Sequence, residues 1–208
     1  KDDPSSTETK SEDMSKVKVV IMDEEGRVVR ELKGPGQKGF NRINWDLRYP
    51  LSFDPAGTSS GYYEPKKGPS VLPGEYTVKL IAHGQEMTQK VKVRMDPRIK
   101  ASPEALREKH EASMTVNRMA RSFVESRKAM TEMEGELKRI QKILKNKESI
   151  SEAINIKIKS ISQRMEKIRN NLRTDWYGME FAIMDLTGQL EASTYPPTQA
   201  QIRTIKSL

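Results

Sequence analysis

Histidine, a common residue for acid–base chemistry and zinc binding, occurs only twice in these 208 residues, and cysteine does not occur. His83 precedes Gly84 in a segment with the composition of a hairpin turn, and His110 lies beside Glu111 in an expected helix. No second ligand follows at the spacing of a His-Glu-x-x-His motif. The sequence therefore predicts no metal site and no cofactor.

Two glycine-rich or acidic segments have the residue types of ligand loops. Residues 34–36 read Gly-Pro-Gly, but the Gly-Lys-Ser/Thr ending of a phosphate loop is missing and the segment leads into an expected strand. Residues 23–25 read Asp-Glu-Glu, without the alternation of a calcium-binding EF-hand loop, which favours a solvated turn. Since no nucleophile-elbow sequence occurs either, we expect no catalytic residues and no enzymatic activity.

The composition narrows the classes of partner. Hydrophobic residues make up 35% and charged residues 32% of the chain, which is typical of a protein with long solvated helices. The net charge of +8 lies mainly in the second half, but no dense Lys/Arg run occurs and aromatic residues do not interleave with the charges. Nucleic acid is therefore not an expected partner. No apolar run approaches the roughly 20 residues of a membrane span.

The beginning of the chain differs from the rest. Residues 1–15 are polar and charged with almost no apolar content, which indicates a linker. The first four residues, Lys-Asp-Asp-Pro, lack the apolar segment of a signal peptide. We expect that such a segment has been removed or that the chain is a piece of a longer protein.

Residues 16–97 have the pattern of a small antiparallel β domain. Alternating apolar residues at 17–22 and a return segment at 27–32 flank the turn residues 23–26, which predicts a hairpin. A second hairpin is predicted at 76–94, with His83 and Gly84 in its turn. Short alternating strands separated by turn residues favour a β-sandwich.

The segment 40–47 also alternates, and we expect it to form a further strand. Ile43, Trp45 and Leu47 then share an apolar face, and Trp45 is expected in the sandwich core rather than exposed as a sugar-stacking platform. Asp46 and Arg48 flank this face, and a pair of these two side chains would fix the start of the loop that follows. Trp45, Asp46 and Arg48 are therefore expected to be structural.

A long loop at 49–70 exceeds the usual length of a connection between strands. It carries four aromatic residues that are candidate contacts to a ligand or partner: Tyr49, Phe53, Tyr62 and Tyr63. The alternative is that these rings pack locally or against a neighbouring domain.

Residues 98–208 are expected to form helices. Ser-Pro-Glu at 102–104 has the pattern of a helix start, and residues 146–149 break the helical spacing. Apolar residues at three- and four-residue spacing predict two long helices with a narrow seam. The second helix carries them at Ile154, Ile158, Ile161, Met165, Ile168, Leu172, Met179, Ile183, Leu186 and Leu190.

Thr-Gln-Ala-Gln at 198–201 is a capping-box pattern that opens a third helix of about ten residues. That helix is too short to complete an antiparallel bundle, so it is truncated or the protein ends early. The predicted fold class is therefore α+β, with a small antiparallel Ig-like β-sandwich followed by a long antiparallel helical hairpin or three-helix bundle.

Three motifs carry a family resemblance: Gly-Arg-Val-Val-Arg at 26–30, Gly-Phe-Asn-Arg-Ile-Asn-Trp-Asp-Leu-Arg at 39–48 and Leu-Pro-Gly-Glu-Tyr-Thr-Val at 72–78. They resemble the Ig-like module of the flagellar hook-capping class. More closely, they resemble the C-terminal region of bacterial proteins with sortilin-like or neuraminidase-repeat β-propellers. The resemblance implies a preceding propeller and a periplasmic, extracellular or cell-surface location.

The missing reactive groups and the resemblance together predict a non-catalytic accessory module of a larger exported protein. Its expected partner is another protein or the neighbouring β-propeller domain. One alternative is a carbohydrate-binding module that uses the aromatic residues of 49–63 to bind a glycan. Another is an appendage of a glycoside hydrolase or sialidase-like enzyme whose catalytic domain lies outside these residues.

Overall fold

The computed structural model describes residues 17–52, 67–145 and 151–208, with the backbone alone at 145 and 171–177. The fold is mixed α+β. Its strands are β1 (Val17–Met22), β2 (Val28–Gly34), β3 (Gly74–Ala82) and β4 (Gln85–Val93), and its helices are α1 (Pro103–Lys145), α2 (Glu152–Glu191) and α3 (Gln199–Ser207).

The chain divides into two compact units. The sheet unit contains the described residues of 1–51, 64–111 and 193–196. The helical unit contains those of 52–63, 112–192 and 197–208. The sheet unit thus contains the four strands and the beginning of α1. No described helix carries an apolar stretch that would cross a lipid bilayer.

The sheet is antiparallel, with strand order β2-β1-β3-β4. The predicted first hairpin is confirmed, and Asp23 stabilises its turn by accepting hydrogen bonds from the backbone N–H groups of Glu25 (3.1 Å) and Arg27 (2.8 Å). Gly26 has φ of 76°, a conformation that glycine adopts without steric cost.

The predicted second hairpin is also confirmed, because β3 pairs with β4 along nine residue pairs. His83 and Gly84 connect the two strands with φ of 52° and 73°. Two successive left-handed residues are the requirement of a type I′ hairpin turn, whose twist matches that of the strands. The turn role predicted for His83 is therefore confirmed.

The two faces of the sheet differ in polarity. Directly paired residues share a face, and pairs such as Val19–Leu80, Ile21–Val78 and Tyr76–Val91 define an apolar face. The opposite face carries cross-strand ion pairs, at Lys18–Glu31, Lys79–Glu86 and Lys90–Glu75. This division is typical of an antiparallel sheet that packs on one side and meets solvent on the other.

The segment 40–47 does not form the strand that alternation predicts. Only Arg48 pairs, in an isolated bridge with Ser70, and Leu47 turns the chain with φ of 58°. Phe40 is 90% exposed, whereas Trp45 packs on the core formed by Ile21, Val29 and Tyr76. The described residues thus contain one sheet, and the second sheet of a sandwich remains a prediction.

The helical unit has a core of its own. Val116 and Ala120 of α1 pack with three buried residues of α2: Ile183, Leu186 and Leu190. Ile205 of α3 and Leu208 pack on the same cluster. Each of these residues lies on the apolar side that its three- and four-residue spacing defines.

Polar contacts continue between α1 and α2 beyond this core. They join Ser113 to Glu191 at 2.9 Å, Arg127 to Glu180 at 3.8 Å, Glu134 to Arg169 at 4.0 Å and Gln141 to Ser162 at 3.2 Å. The contacting positions rise along α1 while they fall along α2.

The predicted helix starts are confirmed at two helices. Ser102 Oγ accepts the backbone N–H of Ala105 (3.1 Å) at the beginning of α1. Thr198 and Gln201 form the reciprocal capping box that opens α3. The predicted break at 146–149 lies outside the described residues.

Candidate functional site

The apolar face of the sheet unit is the floor of a groove of about 490 Å³. The floor comes from all four strands, with Val19 and Ile21 of β1 at its centre. The other described residues that line the groove are Leu32, Ile43, Trp45, Leu47, Val78, Val91, Lys92, Val93 and Arg94. A largely apolar lining with two cations can hold a ligand by burial of apolar surface, and the charges can select its polar part.

One wall of the groove is the irregular segment 43–47. Three hydrogen bonds attach its continuation to residues 68–71, from Val71 N to Leu47 O (3.0 Å), Tyr49 N to Pro69 O (2.9 Å) and Arg48 Nη1 to Gly68 O (2.8 Å). Because two short segments far apart in sequence hold each other, the wall keeps its position without a sheet ladder.

Trp45 connects this wall to the floor. Its ring meets Tyr76 edge to face, with centroids 5.4 Å apart, and its indole Nε1 donates to Arg48 O at 3.4 Å. Tyr76 donates its hydroxyl to Leu72 O (2.7 Å), and burial of the ring raises the pKa of Tyr76 to about 12. The contact with Tyr76 therefore fixes the position of Trp45 in the lining of the groove.

Tyr49, the first candidate contact residue, is half-buried and packs against the sheet core. Its ring also lies 5.6 Å from that of His110, and burial raises the pKa of its phenol. His110 Nδ1 lies 2.9 Å from Ser70 O, which can only accept, so this nitrogen donates. Both side chains thus stabilise the loop–helix packing of the sheet unit.

The other three candidate contact residues, Phe53, Tyr62 and Tyr63, lie outside the described residues. Asp46 and Arg48 were expected to pair with each other. The side chain of Asp46 is half exposed and lies 3.9 Å from Arg30 Nη2, whereas Arg48 donates a hydrogen bond to the carbonyl of Gly68. Arg48 therefore contacts the far side of the loop directly.

Few groups suited to acid–base chemistry line the groove, and Lys92 and Arg94 are the titratable ones among the described lining residues. Among the described residues that line it there is no carboxylate, histidine, serine or tyrosine hydroxyl to act as acid, base or nucleophile. Within the described ranges, no three His, Asp or Glu residues are grouped so that they could hold a metal ion. The largely apolar lining of the groove is suited to holding apolar side chains.

Strand β4 borders the groove and lies at one edge of the sheet. It pairs with β3 alone in the described sheet, and seven of its nine residues are exposed. Val91 and Val93 face the groove, while Lys90 and Lys92 alternate with them. An edge strand has unpaired backbone donors and acceptors, so it can bind a further extended chain.

The sequence pointed to some of these residues and missed others. The alternation at 40–47 identified Ile43, Trp45 and Leu47, which all line the groove. It missed Lys92 and Arg94, because their alternation with Val91 and Val93 places them on the polar side in the sequence pattern.

The fold is that of a mixed α+β protein with an open apolar groove on its sheet unit. Comparisons with models of known families, with curated proteins and with solved structures found no match for this chain.

Proposed function

We propose that this chain is a non-catalytic interaction module that binds an extended segment of a partner protein in the groove of its sheet unit. The observation that carries the proposal is the juxtaposition of an apolar groove with the exposed edge strand β4. A partner segment would add to β4 as a further strand and place alternate side chains over Val91 and Val93.

The charges along β4 support a particular partner chemistry. Lys90 and Lys92 lie on the polar side of β4, where Lys90 pairs with Glu75 at 2.5 Å, and Arg94 follows the strand at the end of the groove. Three cations along one edge repel a second copy of that edge and attract a segment that alternates apolar and acidic residues.

The finer architecture is part of the same proposal. The segment 43–47, which lies beside the apolar face, would belong to the second layer of an Ig-like sandwich, and the groove would be the part of the face that this layer leaves open. The opposite progression of contacts along α1 and α2 supports an antiparallel helical hairpin. The resemblance of residues 26–30, 39–48 and 72–78 to exported propeller proteins supports a periplasmic or cell-surface module beside a propeller.

The test uses the tryptophan in the groove as a reporter. Trp176→Phe leaves Trp45 as the single tryptophan of the chain. A synthetic peptide of alternating Val and Glu, as long as the nine residues of β4, is titrated into this variant. We expect a saturable shift of the emission to shorter wavelength with a dissociation constant in the micromolar range, because the peptide shields the indole from water.

Two variants check the position and the charge preference. Val91→Gln places a polar amide in the groove and should weaken binding at least tenfold, whereas Thr88→Gln, an uncharged change on the polar side of the same strand, should not. Lys92→Glu should lower the affinity for the Val/Glu peptide and raise it for a Val/Lys peptide. Equal binding of both peptides by the unmodified chain, or no binding of either, would contradict the proposal.

A further inference from the structure

A second apolar surface lies on the helical unit, far along the helices from its core. Five side chains that are about half exposed form it, and we name them the isoleucine stripe: Met133 (52%), Ile140 (45%), Ile154 (45%), Ile161 (49%) and Ile168 (48%). Met133 and Ile140 are seven residues apart on α1. The three isoleucines of α2 are also seven residues apart. Seven-residue spacing keeps side chains on one side of a helix and is the repeat by which helices pack against helices.

The stripe is distinct from the seam at which α1 and α2 contact each other. The seam contains Met130 and Leu137 of α1, and Ile158 and Met165 of α2, which are buried or half-buried and share the level of the Gln141–Ser162 and Glu134–Arg169 contacts. Four of the stripe residues follow a seam residue by three positions: Met133, Ile140, Ile161 and Ile168. Three residues turn the helix by about 300°, so the stripe lies about 60° from the seam on each helix.

Both halves of the stripe lie on the same side of the helix pair. On each helix the stripe residues are rotated from the seam residues by the same angle, in the same direction relative to the course of the chain. Because α1 and α2 run in opposite directions, these two rotations turn the stripe residues of both helices towards one side of the pair. The contact of Gln141 with Ser162 also puts Ile140 level with Ile161. By the same progression Met133 lies level with Ile168.

The described third helix packs elsewhere. Ile205 of α3 and Leu208 lie against the cluster of Val116, Ala120 and Ile183, which is at the other end of the helix pair. Within the described ranges, the five residues of the stripe therefore stay exposed, although their spacing is that of a packed helix surface.

We propose that the isoleucine stripe is the contact surface of a homodimer, in which two copies of the α1–α2 pair pack face to face as a four-helix bundle. A two-helix face with apolar residues at matched levels is the half of such a bundle, and a two-fold axis brings identical surfaces together. This proposal is independent of the sheet groove.

The charges beside the stripe select the orientation of the second copy. Glu136 borders the stripe on α1, and Arg164 borders it on α2 at nearly the same level. A two-fold axis parallel to the helices sets α1 against α2 of the second copy, so that Glu136 of each meets Arg164 of the other. An axis across the helices sets α1 against α1 and brings like charges together. Within one copy Glu136 pairs with Arg139 at 2.6 Å. Because this pair is exposed, little stability is lost when Glu136 contacts Arg164 of the second copy instead.

The size of the stripe indicates a reversible dimer. Ile154 to Ile168 spans about 21 Å, and two helices about 10 Å wide give a footprint of roughly 400 Å² per copy. A stable interface buries about 800 Å² per partner. We therefore expect a dissociation constant in the micromolar range.

The experiment is sedimentation velocity of the full chain across the micromolar range, with helicity checked by circular dichroism. The average mass should rise from 23.7 kDa towards twice that value with concentration. Ile140→Glu and Ile161→Glu should each raise the dissociation constant at least tenfold. Ile156→Glu is the matched control, since Ile156 is 62% exposed on the same helix as Ile161 but lies on another side.

Charge reversal tests the orientation. Glu136→Arg and Arg164→Glu should each weaken association, and the double variant should restore it because the exchanged charges still meet. A chain that stays monomeric at the highest concentration overturns the dimer, and so does equal weakening by Ile156→Glu. A double variant no better than the two single ones overturns the proposed axis.

Discussion

Both units leave apolar side chains exposed, but they do so in different shapes. In the sheet unit the exposed apolar surface is a groove between the strands and the irregular segment 43–47. In the helical unit it is a regular stripe with seven-residue spacing. A groove beside an edge strand suits an extended chain, whereas a regular helical stripe suits another helix.

The two units also build their cores differently. The helical core joins residues that recur every three or four positions on continuous helices, such as Val116 and Ala120. The sheet core combines strand residues such as Ile21 with Trp45, Tyr49 and Val71, which lie outside any strand. The sheet unit therefore depends more on contacts between irregular segments, and the predictions below test this difference.

The largest loss of stability is expected when a buried isoleucine of either core is truncated to alanine. Ile21→Ala and Ile183→Ala remove side chains that are 1% and 2% exposed, so each should lower the free energy of unfolding by about 2–5 kcal/mol. Ile156→Ala, at an exposed position, should change it by less than about 0.5 kcal/mol. Denaturant unfolding of the three variants measures these differences. A cost at Ile156 similar to the other two would contradict the assignment of the cores.

The helices were largely predictable because their signals are local. The capping residues Thr198 and Gln201 and the apolar spacing lie within a few residues of each other, and the structure has the helices that they predict. The same spacing did not separate the seam from the isoleucine stripe. Ile158 and Ile161 are three residues apart, and only the contacts between α1 and α2 decide that Ile158 is half-buried and Ile161 exposed.

The groove was less predictable because its wall depends on long-range contacts. Alternation identified Ile43 and Trp45 as apolar neighbours, but a strand also needs a partner to satisfy its backbone groups. Leu47 and Tyr49 instead bond to Val71 and Pro69, more than 15 residues away along the chain. Nothing in the local sequence specifies that pairing.

A glycine substitution tests the attachment of this wall. A Cβ at Gly68 would clash with the carbonyl oxygen of Tyr49 and lie 2.9 Å from Leu51 N, and both are backbone atoms that cannot rotate away. Gly68→Ala should therefore destabilise the chain by about 1–3 kcal/mol. Thermal unfolding, followed by circular dichroism, measures the loss.

Gly34→Ala is the matched control for this prediction. A Cβ there would meet mainly the end of the Ile43 side chain, which can change its rotamer. We expect a smaller loss of stability than at Gly68. The reverse order of the two variants would mean that residues 68–71 do not hold the wall.

The smallest loss of stability is expected on removal of the hydroxyl of Tyr76, whose ring contacts Trp45 of the irregular segment. Tyr76→Phe removes the hydrogen bond to Leu72 O and should cost about 1 kcal/mol at neutral pH. Tyr195→Phe is the control, because Tyr195 is 76% exposed. Equal stability of both variants would show that the Tyr76–Leu72 bond contributes nothing to the sheet unit.

The same variant should change the response to alkaline pH. Burial first, and then the nearby Tyr49 and Asp23, raise the pKa of Tyr76 from 10.0 to about 12 in the folded chain. Above pH 10 the unfolded chain releases the phenolic proton while the folded chain keeps it. Stability is therefore lost as the pH rises from 10 towards 12. Denaturant unfolding across this range should show a smaller loss in Tyr76→Phe than in the unmodified chain, because the substituted ring has no proton to release. Parallel pH profiles would mean that water reaches the phenol of Tyr76, and that Tyr76 supports Trp45 less firmly than the hydrogen bonds indicate.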